Sequence, residues 1–181
     1  MIMKKTKANF QTPLHLACSD DPMRLVMQYI FFENGYAYAT NGHIAVKQSL
    51  EDYCDVIEKE KLNGHAIYKT AFAKIIQFPM AVATEEGVEC INDDYKVLFR
   101  YADKDMVRPD LEKAIGEFKR GSVDCIGLRP HLFGLVDKVL KHWHNGARVE
   151  FQDRYKAMKV TYPDYPNQEV YIMPYNLGDL E

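Results

Sequence analysis

The clearest periodic pattern of apolar residues lies near the carboxyl end of the chain, where large apolar side chains recur at helical spacing. They are Leu132, Leu135, Val136, Val139, Leu140 and Trp143. Pro130 stands at the start of this stripe, a position where the missing N–H of proline costs a helix nothing. Asn145 and Gly146 follow the stripe and suit a left-handed cap. The pattern therefore predicts one amphipathic helix across this stretch.

Segments around this helix have the pattern of β-strands. We expect an introductory strand at 123–128, and three more strands after the helix at 148–152, 157–162 and 169–174. Pro163 and Pro166 mark the turn between the last two strands. The carboxyl-terminal part of the chain is thus predicted to form a β-α-β-β-β unit.

A second copy of this unit is predicted in the middle of the chain. A strand at 65–68 precedes a helix at 70–78, which carries Phe72, Ile75 and Ile76 on one face and ends at Pro79. The strands that follow are expected at 80–84, 88–92 and 95–101, and a linker at 103–117.

The first part of the chain has the strands of this unit but no clear helix. Strands at 27–32 and 36–40 flank Asn34-Gly35, which is a strong hairpin signal. Gly42 makes a further turn into a strand at 44–48, and a short helical excursion is expected at 52–61. We therefore predict three consecutive β-α-β-β-β units, the first of them abbreviated.

Two strings of residues resemble the bacterial sliding clamps, the beta subunits of DNA polymerase III. The first string spans residues 39–46 and contains Thr40-Asn41-Gly42-His43; clamps carry Thr-Asp-Gly-His-Arg-Leu-Ala in their middle domain. The second spans residues 169–177 and contains Met-Pro-Tyr-Asn-Leu, where clamps end in Met-Pro-Met-Arg-Leu. The chain departs from the family at Asn41, and the family's Arg-Leu is represented here by Ile44-Ala45 or by Ile44 alone.

The resemblance implies a divergent and shortened clamp of the α+β class, built from repeated β-α-β-β-β units with antiparallel sheets. Because each clamp domain contains two such units, the chain corresponds to about one and a half clamp domains. We expect a clamp-like domain at 1–117, whose first unit lacks its helix, and a half-domain at 118–181. Closing a ring with such chains would require a homo-oligomer, which the sequence neither demonstrates nor excludes.

In the family the two strings line a shallow apolar cleft that takes linear peptide motifs of replication proteins. Carried over by position, the cleft residues are Thr40, Gly42, His43, Ile44, Tyr171, Met173, Pro174 and Tyr175. Methionine and tyrosine side chains would supply an adaptable apolar surface with polar groups at its rim. The alternative is that Tyr171 and Met173 only pack the sheet and that His43 is a turn residue.

Clamp helices also line the pore, where basic side chains meet the phosphates of duplex DNA independently of its sequence. The corresponding candidates are Lys69, Lys74, Lys138, Lys141 and His142. The alternative is that these residues form an ordinary solvated helix face. The net charge of −3 excludes a wholly basic nucleic-acid binder but leaves a local basic face possible.

The composition also bears on metal binding, secretion and membrane insertion. The four cysteines are scattered without a CxxC pair, and the amino terminus lacks the apolar run of a signal peptide. No stretch resembles a membrane span, so we expect a cytoplasmic protein that does not contact membranes. The adjacent His142-Trp143-His144 are a poor metal site, and no phosphate loop or nucleophile motif occurs.

We therefore expect a non-enzymatic protein with no metal and no cofactor. One rival interpretation is a peptide-binding adaptor that keeps the clamp fold without encircling DNA. The other is a small enzyme whose catalytic residues converge only in three dimensions.

Overall fold

The computed structural model describes residues 9–103, 105–107, 109–140 and 146–178. Within them the strands are β1 (Tyr29–Glu33), β2 (Tyr36–Thr40), β3 (Ile44–Ser49), β4 (Ala66–Tyr68), β5 (Met80–Ala83), β6 (Gly87–Ile91), β7 (Lys96–Arg100), β8 (Arg148–Glu150), β9 (Met158–Tyr162) and β10 (Tyr165–Ile172). The α-helices are α1 (Leu50–Tyr53), α2 (Lys69–Ile75), α3 (Leu111–Ile115) and α4 (Pro130–Leu140). Single 3-10 turns occupy Leu14–Ala17, Leu25–Gln28 and Lys59–Leu62.

The strands form two sheets in which every pairing is antiparallel. One sheet has seven strands in the order β4-β1-β2-β3-β10-β9-β8, and the other has three in the order β5-β6-β7. The pairing of β3 with β10 joins the first and last parts of the chain, and sets Val170 opposite Val46 and Ile172 opposite Ile44. The prediction of an α+β fold with antiparallel sheets is confirmed.

The β1–β2 hairpin forms where Asn34-Gly35 predicted it. Both residues have positive φ, 51° and 78°, which a two-residue hairpin turn of type I′ requires. Asparagine tolerates this conformation and glycine adopts it without a steric cost. The strand before the turn begins at Tyr29 rather than at residue 27, because the 3-10 turn Leu25–Gln28 precedes it.

One face of the seven-stranded sheet, here called the inner face, is covered by helices α2 and α4. Strand alternation points Phe32, Val46 and Ile172 to this face, where they join one buried core with the apolar stripes of both helices. Phe10 packs between Phe32 and Phe72, with ring centroids 5.9 and 4.7 Å away. Both predicted helices therefore pack on the same side of the sheet.

Two expectations are wrong. Residues 123–128 form no strand, although Gly127 accepts a hydrogen bond from the N–H of Tyr175. The two backbones lie so close there that a Cβ on Gly127 would be 2.1 Å from the carbonyl oxygen of Tyr175. The predicted linker at 103–117 contains a helix, α3, which Asp110 caps by accepting a hydrogen bond from the N–H of Lys113 at 2.8 Å.

The helical excursion expected at 52–61 is also different, since it splits into α1 and the 3-10 turn Lys59–Leu62. The last strand begins at Tyr165, so Pro166 lies inside the strand and Pro174 lies beyond its end. The division into a domain at 1–117 and a half-domain at 118–181 stays a prediction. The seven-stranded sheet contains strands from both sides of this boundary.

Candidate binding groove

The structure brings the two strings of the sequence together at the β3–β10 junction. The first string ends β2 at Thr40, turns through Asn41–His43 and enters β3 at Ile44. The second runs along β10 beside β3, and the N–H of Met173 donates a hydrogen bond to the carbonyl oxygen of His43 at 2.8 Å. Their proximity was predicted; their binding role stays a prediction.

Side-chain oxygens hold the turn between the two strands. Asn41 accepts hydrogen bonds from the N–H groups of His43 and Ile44 at 2.9 and 3.0 Å. Thr40 donates to the carbonyl oxygen of Ile44 at 2.6 Å and accepts from the N–H of Gly42 at 3.0 Å. Asn41 therefore supplies the acceptor oxygen that an aspartate would also supply at this position.

Gly42 is required at the tip of this turn for two reasons. Its φ of +86° is a conformation that residues with a Cβ rarely adopt. A Cβ there would also lie 2.8 Å from Nη1 of Arg24 and 3.4 Å from the sulfur of Met27. The turn consequently lies close to both side chains.

A groove of about 270 Å³ lies beside this turn on the face of the sheet opposite the helices, here called the outer face. Its lining residues are Met27, Thr40, Gly42, His43, Ile44, Ala45, Pro109, Leu111, Ile115, Ala157, Tyr171 and Met173. Pro174 and Tyr175, which were also predicted for the cleft, are not among them. The lining is predominantly apolar, as is usual for sites that take apolar side chains.

Helix α3 supplies a wall that the sequence analysis assigned to a linker. Pro109, Leu111 and Ile115 point into the groove from this segment. The available signals were the capping residue Asp110 and the i, i+4 spacing of the two apolar residues after it. A helix of five residues is too short for a periodicity search to detect.

Glu112 attaches α3 to the outer face of the sheet. Its carboxylate accepts hydrogen bonds from Nζ of Lys47, at 2.7 Å, and from the hydroxyl of Tyr38. These bonds, first that of Lys47 and then that of Tyr38, lower the pKa of Glu112, so the group is ionised at neutral pH. The helix that forms one wall of the groove is therefore held to the sheet by the ion pair between Glu112 and Lys47.

Tyr171 and Met173 both line the groove, but Tyr171 is buried and Met173 is exposed. Tyr171 is buried and donates a hydrogen bond from its hydroxyl to Glu169 at 2.7 Å, and Lys159 also donates to Glu169. Burial, followed by this hydrogen bond, raises the pKa of Tyr171, so its hydroxyl stays protonated. Met173 remains 44% exposed and can contact a ligand directly.

Positive charges gather at the His43 end of the groove. A guanidinium nitrogen of Arg129 lies 3.5 Å from Nε2 of His43, and the same guanidinium lies 5.0 Å from the ring centroid of Tyr175. Arg24 donates a hydrogen bond to the carbonyl oxygen of Asn41 at 3.1 Å. Burial lowers the pKa of His43, and the charges of Arg129, Arg24 and His131 lower it further.

The candidate DNA-facing residues are in different situations. Lys69 donates hydrogen bonds to the carbonyl oxygen of Ser19 at 2.6 Å and to Asp20 at 2.5 Å, so it is engaged in a contact within the chain. Lys74 and Lys138 are exposed on α2 and α4, and neither forms an ion pair with a described carboxylate. Lys141 and His142 lie outside the described residues.

The described ranges contain neither a cluster of metal-ligating side chains nor a membrane-spanning helix. No three residues among His, Cys, Asp and Glu come together in them as a metal site would require. None of the helices described has the length and apolar character needed to span a bilayer.

The sequence matches no protein-family model and no curated protein. The structure, by contrast, matches DNA polymerase III subunit beta from Pseudomonas aeruginosa with a TM-score of 0.64 and 10% identity, over 92% of this chain and 62% of that one. The Thermotoga maritima subunit matches at 0.64 and 11%, over 93% and 62%. The Bartonella birtlesii sliding clamp, solved with griselimycin bound, matches at 0.61 and 11%, over 98% and 68%.

These matches define the class of fold. The chain is an α+β protein with antiparallel sheets and a partial clamp-like fold, spanning 62% to 68% of the length of these clamp chains. At such low identity the likeness concerns the fold alone.

Proposed function

We propose that this protein is a non-enzymatic, clamp-like binding protein whose groove takes short linear peptide segments of replication proteins. The observation that supports this proposal is the hydrogen bond from the N–H of Met173 to the carbonyl oxygen of His43, beside an apolar groove that both residues line. The adaptor alternative uses the same groove without any contact to DNA.

The groove has the physical features that peptide anchoring needs. Its lining comes from five separate stretches of chain, and apolar groups of Leu111, Ile115 and Met173 converge on it. Burying an apolar side chain in such a site contributes roughly 1.5–3 kcal/mol. The unbranched thioether of Met173 can adjust to anchors of different shape.

Fluorescence polarisation with labelled peptides from partners of bacterial clamps tests this proposal. We expect the intact protein to bind such peptides, and Met173→Ala to weaken binding by about 1–3 kcal/mol, roughly 5- to 150-fold. Met80→Ala is a matched control, because Met80 is 42% exposed on β5 of the other sheet.

Two outcomes would remove this role. One is that the intact protein binds none of the peptides. The other is that Met80→Ala reduces affinity as much as Met173→Ala does. Griselimycin is an additional probe, since the Bartonella birtlesii clamp was solved with this compound bound.

A second candidate function, sequence-independent binding of duplex DNA, is supported by Lys74 and Lys138. Both lysines are exposed on helices that cover the same face of the sheet, and neither is neutralised by a described carboxylate. Unpaired lysines on one face can contact the phosphates of one duplex. The affinity that they contribute falls as the salt concentration rises, because their binding releases counterions from the DNA. Encirclement of DNA would additionally require several copies of the chain.

Retention of circular and linear duplex DNA at several salt concentrations tests the second function. We expect a double change of Lys74 and Lys138 to Glu to abolish binding, whereas Lys113→Glu on α3 of the outer face should leave it unaltered. Longer retention of circular than of linear DNA would indicate a closed ring. Absence of binding to either form at low salt would exclude the DNA role and leave the adaptor.

A further inference from the structure

The groove is asymmetric in charge from one end to the other. Its α3 end, where Glu112 bonds to Lys47 four residues beyond His43, is formed by Pro109, Leu111 and Ile115, which carry no charge. Its other end is the turn at His43, where Arg129 and Arg24 approach. An occupant would therefore meet an apolar environment at one end and positive charge at the other.

Arg129 is the group in this cluster that is available to a ligand. Its described contacts are His43 at 3.5 Å and the ring of Tyr175 at 5.0 Å, and no described carboxylate lies within ion-pair distance of it. Stacking on an aromatic ring holds a guanidinium in place while leaving its N–H groups free for an anion. Arg129 is thus positioned without being neutralised.

Arg24 strengthens the positive end from the other side of the turn. Its Nε lies 3.4 Å from Asp21, but both side chains are nearly half exposed, so this pair is weak. Its Nη1 is directed at the turn, where it donates to the carbonyl oxygen of Asn41. Arg24 and Arg129 consequently flank the same short segment of chain.

We propose that the segment bound in the groove carries an acidic side chain, Asp or Glu, beside its apolar anchors, and that Arg129 with Arg24 receives this carboxylate. The proposal rests on the proposed peptide-binding function and names the chemistry of the partner. It also gives the bound segment a direction, because its acidic residue must lie at the His43 end. Guanidinium and carboxylate groups match in geometry, which adds specificity to the charge attraction.

The environment of His43 supports this assignment. The positive charges that lower its pKa also repel one another, and no described carboxylate approaches Arg129 to offset them. An anion delivered by a partner would relieve this repulsion, so the free protein is poised to accept one.

Paired probe peptides test the proposal. Each pair is a short fluorescein-labelled peptide with Leu and Phe anchors and an amidated carboxyl end, carrying Glu or Gln at one position. The charged residue precedes the anchors in one pair and follows them in the other. We expect about five- to twentyfold tighter binding of the Glu peptide in one pair only, with the advantage shrinking as salt screens it.

Variants of Arg129 test whether this residue causes the preference for the Glu peptide. Arg129→Gln should bring the ratio of Glu to Gln peptide affinity close to one, whereas Arg100→Gln, on the far edge of the three-stranded sheet, should leave the ratio unaltered. Arg129→Glu should prefer a peptide with Lys at the same position. Such a reversal cannot come from a fold that has merely loosened.

Failure of this inference differs from failure of the proposed function. If Glu and Gln peptides bind equally in both pairs, or gain equally in both, the inference is overturned while peptide binding stands. If only a free terminal carboxylate gives the gain, the assignment to an acidic side chain is overturned. If no peptide binds at all, the proposed function itself fails.

Discussion

The two faces of the seven-stranded sheet are built from the same strands and differ in what covers them. On the inner face, Phe10, Phe72 and Leu132 are almost fully buried between helices and sheet. On the outer face, a single short helix covers part of the sheet and leaves Met173 exposed beside it. Strand alternation sends side chains to both faces, but the larger buried core lies on the inner face, and the groove on the outer face stays open.

This difference between the two faces means that folding stability depends mainly on the inner face, whereas the groove lies on the outer face. Apolar side chains enclosed on all sides contribute most of the folding free energy, and truncating them leaves cavities. The outer face has a smaller buried cluster around Phe31 and Tyr38, and beside the groove it carries ion pairs such as Lys47–Glu112, each worth about 0–1 kcal/mol. Changes on this face can therefore alter a binding groove without unfolding the protein.

The largest expected effect tests the inner face. Phe72→Ala should destabilise the protein by about 3–5 kcal/mol, because the buried ring packs against Phe10 and leaves a cavity when removed. Denaturant unfolding measures this loss. Met173→Ala on the outer face should cost less than about 1 kcal/mol. Equal losses would show that the outer face is an ordinary part of the core.

A smaller effect is expected at Gly42, where the turn meets the groove. Gly42→Ala should cost about 1–2 kcal/mol, because the residue has a φ of +86°. Gly35→Ala is the matched control, since its φ is +78° but nothing lies within 4 Å of an added Cβ. Similar losses of unfolding free energy are expected from both changes, but only Gly42→Ala should also weaken peptide binding, because it displaces Arg24. A Gly35→Ala variant that binds as poorly would dissociate the groove from this turn.

Glu112→Gln tests whether α3 depends on its charged contact. We expect a loss of stability of no more than about 1 kcal/mol, as for other partly exposed ion pairs. Peptide affinity should fall more than stability, because the helix carries Leu111 and Ile115 into the groove. Glu51→Gln, which breaks the ion pair to Lys59 elsewhere on the surface, serves as the control. Unaltered peptide affinity in the Glu112 variant would mean that α3 stays in place without this contact.

The smallest expected effect is a dependence of stability on pH that originates on the outer face. Partial burial would raise the pKa of Glu169, but hydrogen bonds from Lys159 and Tyr171 outweigh it and leave the pKa lowered, as is that of Glu112. A lowered pKa means that the stabilisation is present above the ordinary glutamate value of 4.5 and is lost as pH falls through the folded-state values. Unfolding curves at several acidic pH values should show this loss diminished in Glu169→Gln. An identical pH profile for the variant would exclude this contact as a source of the dependence.

Local features of the sequence predicted those parts of the fold that depend on neighbouring residues. Asn34-Gly35 indicated a hairpin because its conformation is set by two adjacent residues, and the stripe of α4 indicated a helix because its period is local. The strings around His43 and Met173 were recognised from their residues alone. Helix α3 was missed because its signals span too few residues.

What the tertiary structure alone decided is which distant segments meet. Residues far apart in the chain are joined by the pairing of β3 with β10, by the hydrogen bond from Tyr175 to Gly127 and by the approach of Arg129 to His43. Residues 123–128 have a strand-like sequence but no neighbouring strand to pair with, and a strand is defined by its partner. The sequence determined the elements with strong local signals, such as the β1–β2 hairpin and α4, whereas the groove exists only where α3, β10 and the turn at Gly42 pack together. Such packing depends on surfaces that no local pattern of residues describes.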